Sequence, residues 1–170
     1  MQTNFKTFLL FTVLSASITV LMGQEKVRQK QSENEHIMLN EKEIQWKDAP
    51  SSLPKGAQIA VIEGDPTKEG PFTMRIKLPA NYQIKPHWHP VIEHVTVLEG
   101  AFYMGTGEEF NMNTAIMLTE NGFATMPKKY VHYAFTKDDE SVIQLHGIGP
   151  WGIIYVNEAD DPRNGVRTSK

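Results

Sequence analysis

An all-β sandwich or barrel is the fold this sequence predicts. Across residues 57–156 the apolar side chains fall in short runs, several with period-two alternation, and turns rich in Gly, Pro, Asn and Asp separate the runs. The connections are also too short to hold the crossover helices that a parallel sheet requires.

Residues 1–23 stand apart from that pattern. Lys6 precedes an apolar run over residues 8–22, and polarity returns at Gln24, Glu25 and Lys26. A basic start, followed by an apolar stretch too short and too rich in Ser and Thr for a comfortable membrane span, reads as a secretory signal peptide and not an anchor. Gly23 is small enough to precede the cut, although Leu21 is larger than the usual residue two positions earlier. The expectation is a protein that is secreted or periplasmic after signal-peptide removal, with no stable membrane insertion. The chain contains no cysteine, so neither a disulfide nor a lipidated N-terminal cysteine is available to it. Without residues 1–23 the formal charge moves from -3 to -4, a mildly acidic balance with no basic cluster, which argues against nucleic acid as a partner.

Residues 24–56 read as an N-terminal arm and edge segment. The stretch 25–34 is charged, Gln-rich and aperiodic. Residues 37–46 suit a short strand or a helical turn, and an edge strand packing Ile44 and Trp46 on the barrel is the preferred reading. A loop with two prolines follows at 49–56. The barrel itself spans 57–157, with strands expected at 57–63, 72–78, 94–99, 101–106, 115–118, 123–126, 132–136, 141–146 and 152–156. The second is the clearest: Phe72, Met74, Ile76 and Leu78 alternate with Thr73, Arg75 and Lys77. Only 109–113 offers room for a helical turn, and residues 158–170 form a polar tail.

His87 and His89 are two apart, which on a strand puts both side chains on one face. Pro90 forces a bend after them, so that the next strand can return Glu93 to the same point. His132 comes from a separate strand far downstream, after Pro127. Three imidazoles and a carboxylate make a donor set of intermediate hardness, suited to one divalent Fe, Mn, Ni, Co or Zn ion and leaving one or two positions open for chemistry. On spacing alone, a plain surface His-x-His loop is an equally good reading.

The segment Asn81-x5-His87-x-His89-x3-Glu93-x6-Gly100, followed by Gly122-x4-Pro127-x4-His132-x3-Thr136, resembles the two motifs of the cupin superfamily. The resemblance extends over about residues 57–156. It implies a jelly-roll, or double-stranded β-helix, barrel in which His87, His89, Glu93 and His132 bind one divalent metal ion per chain, and a homodimer formed through an edge of a sheet. The chain departs from the pattern at Asn81 and Lys129, which stand where glycines are usual, and at Thr136, which stands for Asn. Asn tolerates the left-handed conformation, whereas Lys129 predicts an altered turn. No departure removes a ligand.

Around the metal, the alternation of 141–146 puts Gln144 and His146 on one face and Ile143 and Leu145 on the other. A solvent face would more often carry Lys, Glu or Thr, so Gln144 and His146 are expected to look into the cavity, with His146 as the catalytic candidate for moving a proton. Arg75, Tyr103 and Trp151 complete the possible pocket, although Arg75 reads more readily as exposed. His94, next to Glu93, points away from the site. The glycines and proline around Trp151 imply a specified loop, serving as a lid, a dimer contact or a simple connection.

The functional expectation is a metal-binding protein for a small molecule. One class is an enzyme of oxygenase or isomerase type; the others are a non-catalytic small-molecule or anion-binding module and a structural metal site. Pocket polarity separates them, since apolar walls favour dioxygen or aromatic chemistry and converging polar groups favour an anionic substrate.

Overall fold

The alternating segments pair into two antiparallel sheets in the computed structural model, which describes residues 36–164. The expected signal peptide at 1–23, the arm up to residue 35 and the end of the tail from 165 lie outside the described residues. The strands are β1 Lys47–Asp48, β2 Gln58–Glu63, β3 Gly70–Leu78, β4 Gln83–Trp88, β5 Glu93–Glu99, β6 Phe102–Thr106, β7 Ile116–Leu118, β8 Phe123–Met126, β9 His132–Phe135, β10 Ser141–Gly149 and β11 Ile154–Tyr155. The first sheet has the order β1-β2-β3-β10-β5-β8 and the second β11-β4-β9-β6-β7. From β3 onward the chain passes back and forth between the sheets, which is the jelly-roll arrangement.

Burial follows alternation. Met74 and Ile76 on β3, Val95 and Val97 on β5, and Ile143 and Leu145 on β10 meet Ile84, Phe102, Met104 and Ala134 from the second sheet in one apolar layer. The cavity side of β10 is therefore the Ile143 and Leu145 side. Gln144 and His146, expected to face inward, instead lie on the outer face: His146 is exposed, and Gln144 accepts a hydrogen bond from Arg75 Nε at 3.2 Å. Two aliphatic side chains gain more from the apolar layer than an amide and an imidazole, which would need buried partners there. Arg75, a possible pocket residue that read more readily as exposed, shares that outer face and is half-buried there.

The N-terminal segment differs from expectation. Its edge strand is β1, later than 37–46, and pairs Lys47 with Ile59. Before it, residues Glu41–Glu43 form a single 3-10 turn closed by the Glu43 carboxylate, which accepts from the Asn40 backbone N–H at 2.6 Å. Ile44 is buried as expected, and Trp46 is half-buried beneath the Lys77 ammonium.

Of residues 109–113, expected to hold a helical turn, only the end joins a hydrogen-bonded turn, at 112–114, with the Thr114 N–H donating to Asn111 O at 3.3 Å. Phe110 folds down on Tyr133 and Phe135, with ring centroids 5.1 and 5.7 Å apart, while the Tyr133 hydroxyl donates to Asn111 O at 2.7 Å. This makes a second apolar layer on the outer face of the second sheet. Tyr103 belongs to it, stacked on Phe135 at 4.9 Å, and so does not line the cavity as expected. On β9 the two layers alternate, with His132 and Ala134 inward and Tyr133 and Phe135 outward.

Gly105 pairs with Tyr133 across β6 and β9, and the tyrosine ring lies where a Cβ on residue 105 would be. Gly105→Ala is expected to lower unfolding free energy by about 1–3 kcal/mol through overpacking. Urea denaturation measures this, and an unchanged midpoint would contradict the packing described.

Candidate metal centre

β4 places the first donor by an irregularity. Ile84 pairs with Ala134 and His87 with His132, so β4 spends three residues where β9 spends two. The extra residue is a β-bulge that turns His87 to the same face as Ile84, where strict alternation would have sent it outward. Pro86 sits within the bulge, a position that tolerates a residue with no N–H to donate. His89 follows just beyond the strand, Glu93 begins β5 on the inward side shared with Val95 and Val97, and His132 begins β9. All four are buried.

The nitrogen atoms that His87, His89 and His132 offer lie within 4.8 Å of one another, so these residues form a group able to hold a metal ion. Each ring is fixed from behind by a backbone carbonyl. His87 Nδ1 bonds Lys85 O at 2.7 Å, His89 Nδ1 bonds Gly152 O at 2.7 Å and His132 Nδ1 bonds Tyr130 O at 3.0 Å. A carbonyl oxygen only accepts, so Nδ1 carries a proton in every ring and Nε2 is the atom each ring turns toward the others.

Glu93 meets two of those Nε2 atoms. Its Oε1 is 3.3 Å from His89 Nε2 and its Oε2 is 3.3 Å from His132 Nε2. An acceptor facing an acceptor repels unless a proton or a cation stands between, and His89 Nε2 has no hydrogen-bond partner among the described residues. Bonds of about 2.1 Å to one ion, at a right angle, hold two donors about 3.0 Å apart, close to the observed spacing. Burial, then the neighbouring imidazoles His132 and His89, push His87 well below its ordinary value of 6.5. Burial likewise lowers His89. Burial alone would raise the Glu93 carboxyl, but His89 and His132 outweigh it and hold the group below the ordinary carboxylate range. With the His87 and His89 rings held toward the neutral form, a divalent cation is the counter-charge that suits the buried carboxylate.

Trp151, expected near the pocket, reaches the site. Its indole stacks on His89 at 4.7 Å and 22°, and its Nε1 is the other buried polar side-chain atom without a partner among the described residues. The loop noted for its glycines thus supplies both the indole and the Gly152 carbonyl. Tyr155, 5.9 Å from His87, also borders the site and was not singled out by sequence, since its short strand carries no polar signature. Gln144, His146, Arg75 and Tyr103 are not brought to the site. His94 points outward as expected.

The motif departures have visible outcomes. Asn81 takes φ 57, the left-handed conformation expected of it. Lys129 also takes a positive φ, 62, so the turn keeps a glycine-like shape and the altered geometry expected there does not occur. What holds it is the Lys129 N–H, which donates to His89 O at 2.9 Å. Thr136 accepts from Tyr82 N and donates to Pro79 O, securing a turn and not the metal site.

Neutral histidines carry a pH consequence. Below 6.5 the unfolded chain takes up protons that His87 and His89 in the folded chain refuse, so metal-free protein is expected to lose stability as pH falls below about 6.5. Glu93 adds a further loss below about 4.5, its ordinary value. Urea midpoints measured with chelator at pH 8, 6 and 5 check this, and a flat profile would contradict neutral buried imidazoles.

Several solved structures share the fold. The polyketide cyclase RemF from Streptomyces resistomycificus is 12% identical, with a TM-score of 0.60 over 79% of this chain and 94% of that one. A candidate acetylacetone dioxygenase from Methylibium petroleiphilum PM1 is 15% identical, with a TM-score of 0.57 over 78% and 88% of the two chains. An RmlC-like cupin from Shewanella frigidimarina NCIMB 400 is 13% identical, with a TM-score of 0.51 over 66% and 88%. Among curated protein sequences none matches this chain. The family described as "Domain of unknown function (DUF4437)" matches residues 21–151. With the cupin jelly roll as its fold and that match over most of its length, the chain belongs to the DUF4437 family.

Proposed function

We propose that this chain is a metal enzyme acting on a small organic molecule, in which His87, His89, Glu93 and His132 hold one divalent first-row ion and the chemistry is of oxygenase type. The observation that carries this reading is the pair of acceptor-to-acceptor contacts between Glu93 and the imidazoles of His89 and His132, each 3.3 Å long, in a buried site. The walls bear on the choice of chemistry. Trp151 and Tyr155 border the donors, while Arg75, Gln144 and His146 are turned away, so the surroundings suit an apolar or aromatic substrate better than a highly charged one. An isomerase acting on an enolisable carbonyl is the second enzymatic possibility for the same donors.

A bound ion of this class supplies Lewis acidity and, for a redox-active metal, electrons for dioxygen. The chain's own residues do the rest. Glu93 offsets the ion's charge, and the carbonyls of Lys85, Gly152 and Tyr130 fix the ring orientations. The Trp151 indole covers one face of the His89 ring, and its buried Nε1–H, without a partner among the described residues, is the donor this reading assigns to a substrate oxygen. The depth of the donors favours, as the other reading, a metal retained for ligand binding or for structure.

A homodimer is part of the proposal, supported by Ile116 and Met117, which are exposed on the edge strand β7. The secreted or periplasmic address rests on the apolar run at 8–22 behind Lys6.

Oxygen uptake by Fe(II)-reconstituted protein, with acetylacetone and with a dihydric phenol as probes, tests the enzyme reading. Substrate-dependent uptake is expected, falling about a hundredfold in His132→Ala. Trp151→Phe is expected to raise KM about tenfold through the lost hydrogen bond while largely sparing kcat. Tight metal retention with no substrate-dependent turnover would favour the binding or structural role.

A further inference from the structure

We propose that the outer face of the first sheet carries a second small-molecule site, separate from the metal centre, that takes a planar aromatic carboxylate. The register puts Thr73, His146, His94 and Thr125 in one row across β3, β10, β5 and β8. Within it the His146 and His94 rings stack at 4.7 Å and 9°, and Phe123 continues the line at 6.3 Å and 27° from His94. His146 is exposed at the end of this stack, where a further flat ring can extend it.

A groove of about 760 Å³ runs along this face, between the 90–92 turn and the end of β10. Ile92 and Ile148 wall it while remaining 50% and 62% exposed, so covering them removes apolar surface from water. Two of its polar side chains, Lys128 and Gln144, are donors. Lys128 brings a full positive charge, and Gln144 has its Oε1 engaged by Arg75 Nε, which leaves the amide N–H groups free to donate. No Asp or Glu is among the lining residues, in a chain with 20 acidic against 17 basic residues. Glu63, which accepts from Thr73 at 3.4 Å, is not part of the lining.

A ring-stacking surface, aliphatic walls and a cation beside free donors together match an aromatic ring bearing a carboxylate. A second copy of the chain fits less well, because a symmetric contact would bring Lys128 and its surroundings against themselves with no acid to answer them. The site is close to the metal centre in sequence: residues 90–92 join His89 to Glu93, and Gly149 lies two residues before Trp151.

Titration of 2-naphthoate into the metal-loaded full chain, followed by the probe's fluorescence, tests the site. Saturable binding is expected to weaken roughly tenfold in each of Lys128→Ala and His146→Ala, and by a similar factor for the uncharged analogue 2-naphthalenemethanol. Both residues are exposed, so the variants are expected to fold normally, which circular dichroism checks. Binding is also expected to survive chelation of the metal. Unchanged affinity in both variants, or equal affinity for the alcohol, would overturn the proposal. So would loss of binding on chelation, which would place the probe at the metal. A dimer split by Ile148→Glu, with no naphthoate bound, would assign the face to a second copy instead.

Discussion

Three backbone carbonyl oxygens, those of Lys85, Tyr130 and Gly152, decide what the centre of this protein can be. Each accepts from the Nδ1 of one histidine and so turns its Nε2 toward the others. An imidazole tied in this way is fixed in orientation, with Nε2 as the ring atom left to face the carboxylate. With His87 and His89 held toward the neutral form by burial, the site has one negative charge and Nε2 atoms directed at it. That arrangement is unfavourable by itself in a dry environment and becomes favourable with a cation.

Much of the fold can be read as the means of delivering those carbonyls. Lys85 O belongs to the strand whose bulge re-aims His87. Tyr130 O follows the turn in which Lys129 accepts a left-handed conformation to bond His89 O. Gly152 O comes from the loop that also lays Trp151 on His89. The barrel strands carry the apolar layer, and the irregular segments at one end of it carry the chemistry. This division is common where a rigid sheet supports a site.

Sequence reasoning recovered the parts governed by local repetition and missed those governed by distant partners. Period two was sufficient for β3, β5 and β10, and the two spaced motifs were sufficient to bring His87, His89, Glu93 and His132 together. β4 was not anticipated, because its bulge breaks the alternation and Pro86 argues against a strand interior. On β10, alternation correctly separated Ile143 and Leu145 from Gln144 and His146 but could not say which pair faces inward. The neighbours decide that: Met74, Ile76, Val95 and Val97 make one side of the sheet apolar, and they lie on other strands. Tyr103 lies outside the cavity for a similar reason. Its partner Phe135 and the covering Phe110 form an outer apolar layer that a single strand's pattern does not reveal.

Element analysis of protein purified without added metal tests most directly whether the four buried side chains hold a divalent ion. About one ion per chain is expected in the wild type, and none in a His87→Ala/His89→Ala variant whose circular dichroism still reports the sheets. Metal content unchanged in that folded variant, or a wild-type protein that takes up no divalent ion when offered one, would contradict that binding.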